Sequence, residues 1–184
     1  KTLAHALREK VEREFNLEQM VDRTCQVYQE VRREKRILIT KFGALGDLVL
    51  AVPSFRMIRQ RFPQARISLL VESKLVPVIQ RCPYLDELIC FNRSGSKGMW
   101  KQMLRIAKRI RSSGFDLSVD LQNNWKTYLL TFLGRIPRRY GYRRGLLGSL
   151  LTHPVIHWNR NLTPVEHQFQ VLKRVGVLRF DDTM

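Results

Sequence analysis

Two short polar loops carry the residue types that could do chemistry on a ligand. The first, Lys41-Phe-Gly43-Ala-Leu-Gly46-Asp47, directly follows the apolar run Ile37–Thr40. Glycines let a backbone approach a ligand closely, and a carboxylate at such a turn can act as a general base. Asp47 also has a second interpretation, because aspartate often caps helices. The loop therefore predicts either a catalytic base or a helix cap at Asp47.

The first loop does not match the common phosphate-binding motifs. The dinucleotide fingerprint needs a glycine where this chain has Lys41, and no Gly-Lys-Ser/Thr follows as in a P-loop. An aspartate at the start of a helix also repels phosphate. We therefore do not expect the loop to cradle a phosphate.

The second loop is Asp120-Leu-Gln122-Asn123-Asn124-Trp125-Lys126, after another apolar run. Side-chain amides and a lysine suit hydroxyl-rich or anionic ligands. The same residues could instead form an Asx turn with a helix cap at Asn123 or Asn124. Trp125 could stack on a ligand, although a core position is the more ordinary role for tryptophan.

The charge is concentrated in one segment. The 184 residues include 33 Lys+Arg and 16 Asp+Glu, for a net charge of +17. Residues 88–165 hold fourteen basic residues but only Asp116 and Asp120 as acids. Such a surface could be a solvated face, or it could meet phosphates or carboxylates. Two clusters dominate it: Arg93, Lys97, Lys101, Arg105, Lys108, Arg109 and Arg111, and then Arg135, Arg138, Arg139, Arg143 and Arg144.

Other classes of protein are disfavoured. The chain has no long apolar run typical of a membrane span and no visible signal peptide. Its three cysteines form no Cys-x-x-Cys pair, and His153 and His157 flank a proline rather than sharing a helix face. We expect no metal site, no cofactor and a reducing compartment. A high isoelectric point keeps nucleic acid among the partners, but no helix-turn-helix, zinc-finger, RNP or KH pattern accompanies it.

The periodicity predicts alternating strands and helices. Strands are expected at 37–40, 66–71, 87–91 and 116–121, with shorter β segments near 139–142 and 154–158. Helices are expected over 3–33 (with Asn16 capping a second helix), 47–62, 74–81, 97–112, 124–133 and 164–175. Apolar strands that alternate with helices are typical of an α/β, doubly wound parallel sheet, in which ligands bind beyond the carboxyl ends of the strands.

The motifs resemble those of glycosyltransferase family 9, the ADP-heptose:lipopolysaccharide heptosyltransferases and their relatives. The opening match is Arg36-Ile-Leu-Ile-Thr-Lys-Phe-Gly-Ala-Leu-Gly-Asp47-Leu-Val-Leu-Ala-Val-Pro53. It continues through Phe115–Gln122, the Arg-x-x-Gly step at Arg138–Gly141 and Glu166-His167. The resemblance covers about residues 35–177.

The resemblance implies a GT-B enzyme, in which two Rossmann-like domains face each other across a cleft. The N-terminal domain holds the acceptor, and the reaction is inverting transfer of heptose from ADP-heptose to the lipopolysaccharide inner core without a required metal. The family's catalytic base corresponds to Asp47. We expect substrate contacts from Lys41, Gly43, Gly46, Gln122, Asn123, Lys126, Arg139, Arg143 and Arg144.

The expected partners are a nucleotide-sugar donor and an anionic lipid-linked saccharide. The protein would be cytoplasmic, with a peripheral position on the inner face of the cytoplasmic membrane as an extension of that prediction. The alternatives are a basic nucleic-acid-binding module and a non-catalytic interaction domain.

The predicted organisation has two parts. Residues 1–34 form a helical extension that resembles the C-terminal tail of a family 4 glycosyltransferase. Residues 35–184 form the N-terminal Rossmann-like domain of a family 9 enzyme without its C-terminal donor domain. We therefore expect this fragment alone to be inactive.

Overall fold

The computed structural model describes residues 20, 21, 24, 34–92 and 98–177. The chain divides into two compact units, residues 1–34 and 35–184. In the first unit Met20, Val21 and Thr24 are helical. The rest of the helical prediction over 3–33, with its cap at Asn16, lies outside the described residues, as do Arg93 and Lys97.

The second unit is built on one sheet of six parallel strands in the order β3-β2-β1-β4-β5-β6. This order is that of a Rossmann-like doubly wound sheet, so the predicted fold class is confirmed. The strands are β1 Arg36–Thr40, β2 Arg66–Glu72, β3 Glu87–Phe91, β4 Leu117–Asp120, β5 Arg138–Tyr142 and β6 His153–Val155.

Helices cover both faces of this sheet. They are α1 Leu45–Val49, α2 Val52–Arg61, α3 Val76–Ile79, α4 Met99–Ser113, α5 Trp125–Leu133 and α6 Pro164–Val175, with 3-10 turns at Ser73–Leu75 and Leu146–Leu150. Because side chains alternate along a strand, neighbouring residues of β1 serve opposite layers. Ile37 and Ile39 pack with α1, α2 and α6, whereas Leu38 packs with α4 and α5.

Proline divides the predicted helix over 47–62. The structure has α1 ending at Val49 and α2 beginning at Val52, with Pro53 in the first turn of α2. A proline has no N–H to donate, and the first turn of a helix is where that donor is not needed. The prediction of one continuous helix over 47–62 was therefore wrong.

Three other boundaries differ from the prediction. The helix expected over 74–81 is a 3-10 turn followed by the four residues of α3. The segment near 154–158 pairs only as far as Val155. The turn at Leu146–Leu150 was not predicted, since its leucines have no amphipathic period.

Phe55 of α2 is fully buried in the layer that α1, α2 and α6 form with the sheet. We predict that Phe55→Ala lowers the free energy of unfolding by about 3–5 kcal/mol, because it removes apolar contacts and leaves a cavity. Phe132→Ala is the matched control, since Phe132 is 45% exposed and should cost less than about 1 kcal/mol. Urea unfolding measures both variants, and equal losses would contradict this view of the core.

Candidate active site

The two polar loops lie side by side at the carboxyl edge of the sheet. β1 and β4 are neighbours in the sheet, and strand order reverses between them. This reversal is where doubly wound sheets open a crevice for ligands. The crevice here has a volume of about 230 Å³ and is lined by Phe42, Gly43, Ala44, Glu72, Phe91, Gln122, Asn124 and Lys126.

Gln122 ties the loop after β4 to the loop after β1. Its Oε1 accepts hydrogen bonds from the backbone N–H groups of Phe42, at 2.9 Å, and Gly43, at 3.4 Å. These bonds use the carbonyl end of the side-chain amide. The Nε2 end has no partner among the described residues, so it is the end that remains for a ligand.

The two glycines of the first loop, Gly43 and Gly46, lie in different surroundings. Gly43 has a φ of +140°, and a Cβ there would lie 2.7 Å from Leu75 Cδ1, so only glycine fits without strain. No atom lies within 4 Å of the position that a Cβ would take at Gly46. Gly46 therefore leaves open space beside Asp47.

Lys41 and Asp47 form an ion pair beside the crevice. Lys41 is buried, and its Nζ lies 3.4 Å from Asp47 Oδ2 and donates a hydrogen bond to the Leu121 carbonyl at 3.2 Å. The Asp47 side chain is 50% exposed. Lys41 therefore anchors one carboxylate oxygen to the sheet, and Oδ1 has no hydrogen-bond partner among the described residues.

Asp47 does not cap α1. The residue at the cap position is Ala44, and Asp47 lies within the first turn of the helix. The capping interpretation of Asp47 was therefore wrong. Asp47 does not line the crevice, and neither does its partner Lys41, which directly precedes the lining residue Phe42. The described contacts thus leave Asp47 as a half-exposed carboxylate on a fixed element.

The Asp120 side chain fixes the loop after β4 through hydrogen bonds. Its buried carboxylate accepts hydrogen bonds from the backbone N–H groups of Gln122 and Asn123, at 2.8 and 2.9 Å, and from Thr127 Oγ1 at 2.5 Å. Burial nevertheless raises the pKa of Asp120 above its ordinary value, and these hydrogen bonds oppose that shift. Asp120 thus positions Gln122 from a buried place beneath the loop.

The start of α5 combines a helix cap with residues that remain exposed. Asn124 Oδ1 accepts a hydrogen bond from the N–H of Lys126 at 3.0 Å, so Asn124 caps the helix as one alternative predicted. Lys126 lines the crevice, and its ammonium group lies 5.7 Å from the centroid of the Trp125 ring. Trp125 is 39% exposed, so its predicted core position was wrong.

Glu72 belongs to the crevice, and the sequence analysis missed it. Its side chain is only 9% exposed and pairs with Lys74 Nζ at 3.1 Å. It ends β2, the neighbour of β1, on the same edge as both loops. The sequence feature that could have identified Glu72 is a carboxylate directly after the apolar residues Leu69, Leu70 and Val71.

Seven of the ten predicted site residues are not among those that line the crevice. Lys41, Gly46 and Asp47 are described above, and the other four are Asn123, Arg139, Arg143 and Arg144. Asn123 accepts a hydrogen bond from the N–H of Tyr142 at 3.3 Å. Arg139 donates to the carbonyls of Leu150 and Ile136 near the amino end of β5, and burial lowers its pKa. Arg143 and Arg144 follow β5, one strand further along the edge.

A separate aromatic cluster surrounds His167. Trp158 stacks on His167 with ring centroids 3.7 Å apart, and the Arg144 guanidinium lies 4.8 Å from the Trp158 ring. His167 Nδ1 is 3.0 Å from the Tyr142 hydroxyl, and burial lowers the pKa of His167. His167 is therefore packed within this cluster, on Trp158 and beside Tyr142. No group of His, Cys, Asp or Glu that could hold a metal occurs among the described residues.

The chain is similar in sequence to curated heptosyltransferases. It is 27% identical over 148 residues to lipopolysaccharide heptosyltransferase 3 of Escherichia coli, covering 76% of this chain and 42% of the relative. It is 26% identical over 116 residues to lipopolysaccharide heptosyltransferase 2 of Salmonella typhimurium, covering 63% and 33%. The chain thus spans about two fifths or less of these relatives. No protein-family model matches it.

Solved structures agree with this similarity. The glycosyl transferase family 9 structure from Veillonella parvula superposes with a TM-score of 0.72 at 26% identity, over 78% of this chain and 42% of that one. The Escherichia coli heptosyltransferase WaaC with ADP-2-deoxy-2-fluoro heptose gives 0.67 at 18% identity, over 81% and 50%, and supports the fold alone. The sheet therefore has the Rossmann-like α/β fold of one half of these solved structures. The chain is similar to members of glycosyltransferase family 9, so the predicted resemblance is confirmed.

The raised pKa of Asp120 predicts a pH dependence of stability. At pH values just above the ordinary pKa of 3.8, Asp120 in the folded protein still holds a proton that it has lost in the unfolded chain. The stabilisation is thus complete below the unfolded pKa and is lost as pH rises through the folded pKa. We predict that Asp120→Asn, which keeps the acceptor oxygen, becomes more stable relative to the parent as pH rises through this window.

Glu166→Gln is the opposite control for that measurement. The N–H and hydroxyl of Thr163 lower the pKa of Glu166 by hydrogen bonding, so its contribution grows as pH rises. The variant should lose stability relative to the parent as pH rises toward the ordinary value of 4.5, because the lowered pKa places the Glu166 window below that value. Urea unfolding at a series of pH values gives both slopes, and slopes of equal sign would contradict the burial of Asp120.

Proposed function

We propose that this chain is the acceptor-binding half of an inverting glycosyltransferase that transfers heptose from ADP-heptose to the lipopolysaccharide inner core. The observation that carries the proposal is the Lys41–Asp47 pair beside a polar crevice, in a chain similar to lipopolysaccharide heptosyltransferases. Asp47 is the proposed catalytic base.

The contacts of Asp47 suit proton transfer. Lys41 binds Oδ2, so Oδ1 can take the proton of an acceptor hydroxyl as that oxygen attacks the anomeric carbon of the donor. The bond from the anomeric carbon to the departing ADP breaks as the new glycosidic bond forms on the opposite face, which inverts the configuration. The open space at Gly46 gives the hydroxyl access.

The crevice supplies groups for the rest of the acceptor. The Gln122 Nε2 group and the Lys126 ammonium can bind hydroxyl or anionic groups, and the Glu72 carboxylate can accept from hydroxyls. An inner-core saccharide carries carboxylates and phosphates, so its charge complements that of Lys126. Gly43 keeps the backbone close to the bound ligand. Arg143 and Arg144, on the same edge, are proposed as outer contacts to the same anionic acceptor.

The remaining predictions of partners and location belong to this proposal. The donor nucleotide sugar would be held mainly by a second domain, and residues 35–184 would not turn over without it. The acceptor would be lipid-linked, and the enzyme would work at the cytoplasmic face of the inner membrane. No helix among the described residues is long and apolar enough to cross a membrane.

The test is turnover in the chain extended by a C-terminal donor domain. ADP release from ADP-heptose is followed with a lipid A–Kdo acceptor. We predict that Asp47→Asn lowers kcat by about 10²-fold or more, because the amide cannot take a proton. Glu87→Gln is the control: Glu87 starts β3 at the opposite edge of the sheet, and kcat should stay within about twofold.

Two results would contradict the proposal. If Asp47→Asn turns over like the parent with its fold intact, Asp47 is not the base. If the extended parent releases no ADP in the presence of acceptor, the donor and acceptor are wrongly assigned.

A further inference from the structure

The outward face of α4 is basic and also carries exposed apolar side chains. Met103, Ile106, Ala107 and Ile110 are buried against the sheet. On the other side Trp100 is 56% exposed and Leu104 is 61% exposed. Because residues four apart share a helix face, these two side chains are neighbours on one exposed stripe.

Basic residues flank that stripe, and all but one of those on the helix pair with no acid among the described residues. The helix contains five basic residues and no acid. Arg109 pairs with Glu87 at 2.7 Å, but Lys101, Arg105, Lys108 and Arg111 form no ion pair within the part of the chain that the structure describes. A free basic face beside exposed tryptophan and leucine is typical of a helix that lies on an anionic membrane surface.

The apolar end of this face reaches the site. α4 follows β3 and runs opposite to the strands, so its first residues lie at the carboxyl edge. Trp100 lies 6.2 Å from Trp125, ring centroid to ring centroid, and the next residue, Lys126, lines the crevice. The two tryptophans therefore form a continuous path from the α4 face to the mouth of the crevice.

We propose that this α4 face, made of Trp100, Lys101, Leu104, Arg105 and Lys108, docks on an anionic phospholipid surface. The proposal rests on the proposed function, because docking there would hold the crevice at the membrane surface, next to a lipid-anchored saccharide. Tryptophan and leucine enter the headgroup region, and the lysines and arginine bind lipid phosphates. The exposed Leu104 favours a membrane over nucleic acid, because leucine gains nothing from a phosphate backbone.

Cosedimentation with vesicles tests the docking face directly. The full chain is mixed with vesicles of phosphatidylglycerol and phosphatidylcholine, or of phosphatidylcholine alone, neither of which contains a saccharide. We expect binding to the anionic vesicles only. Lys101→Gln/Lys108→Gln should lower the partition coefficient by roughly 25-fold, about fivefold for each charge removed. Trp100→Gln/Leu104→Gln should lower it by roughly tenfold.

Matched controls use residues away from this face. Lys173→Gln/Arg174→Gln removes two exposed charges from the end of α6, and Val78→Gln/Ile156→Gln removes two apolar side chains that are 54% and 61% exposed. Both should bind within about twofold of the parent. Circular dichroism checks that each variant is folded. Trp100→Phe should also reduce the quenching of tryptophan fluorescence by brominated lipid, whereas Trp158→Phe should not.

Three results would overturn the proposal. The first is no binding to anionic vesicles. The second is equal losses in the α4 variants and their controls. The third is that the chain binds a single-stranded DNA oligonucleotide more tightly than it binds the vesicles, with the same affinity in Trp100→Gln/Leu104→Gln as in the parent. That result would assign the face to nucleic acid. Asp47→Asn should bind vesicles like the parent, so failure of docking and failure of catalysis are separate results.

Discussion

The hydrogen bonds from Phe42 and Gly43 to the Gln122 side chain hold the candidate site together. They join loops that are 79 and 80 residues apart in the sequence. The Gln122 backbone is fixed in turn by the buried Asp120 carboxylate. A carboxylate this buried is stable only when hydrogen-bonded, so the loop geometry and the core depend on each other. The Lys41–Asp47 pair is built on this frame, since Lys41 also bonds the Leu121 carbonyl.

The sequence predicted the elements whose signals are local. β3 and α6 have the predicted bounds, because each combines a clear apolar period with a defined end, such as the Thr163 cap and Gly176. The loop after β1 was predicted from its glycines and its following carboxylate. Alternating strands and helices were enough to give the parallel sheet, but not the order of its strands.

What the sequence could not show depends on distant neighbours. Arg139 stays a predicted substrate contact, but no local pattern indicated that its guanidinium donates to backbone carbonyls and lies 5.6 Å from the Phe132 ring. Trp125 was expected in the core because it is aromatic, but its neighbour Trp100 is itself exposed. Glu72 was missed because only the adjacency of β2 and β1 brings it to the crevice. No local pattern records these contacts.

The most direct measurement is a crystal structure of the chain extended by its donor domain, with ADP and a Kdo-containing acceptor bound. The account predicts an acceptor hydroxyl about 2.6–3.2 Å from the Asp47 carboxylate. Other acceptor groups should contact Gln122 and Lys126, with the Lys41–Asp47 pair retained. An acceptor bound instead beside Arg144 and Trp158, with Asp47 facing only solvent, would contradict it.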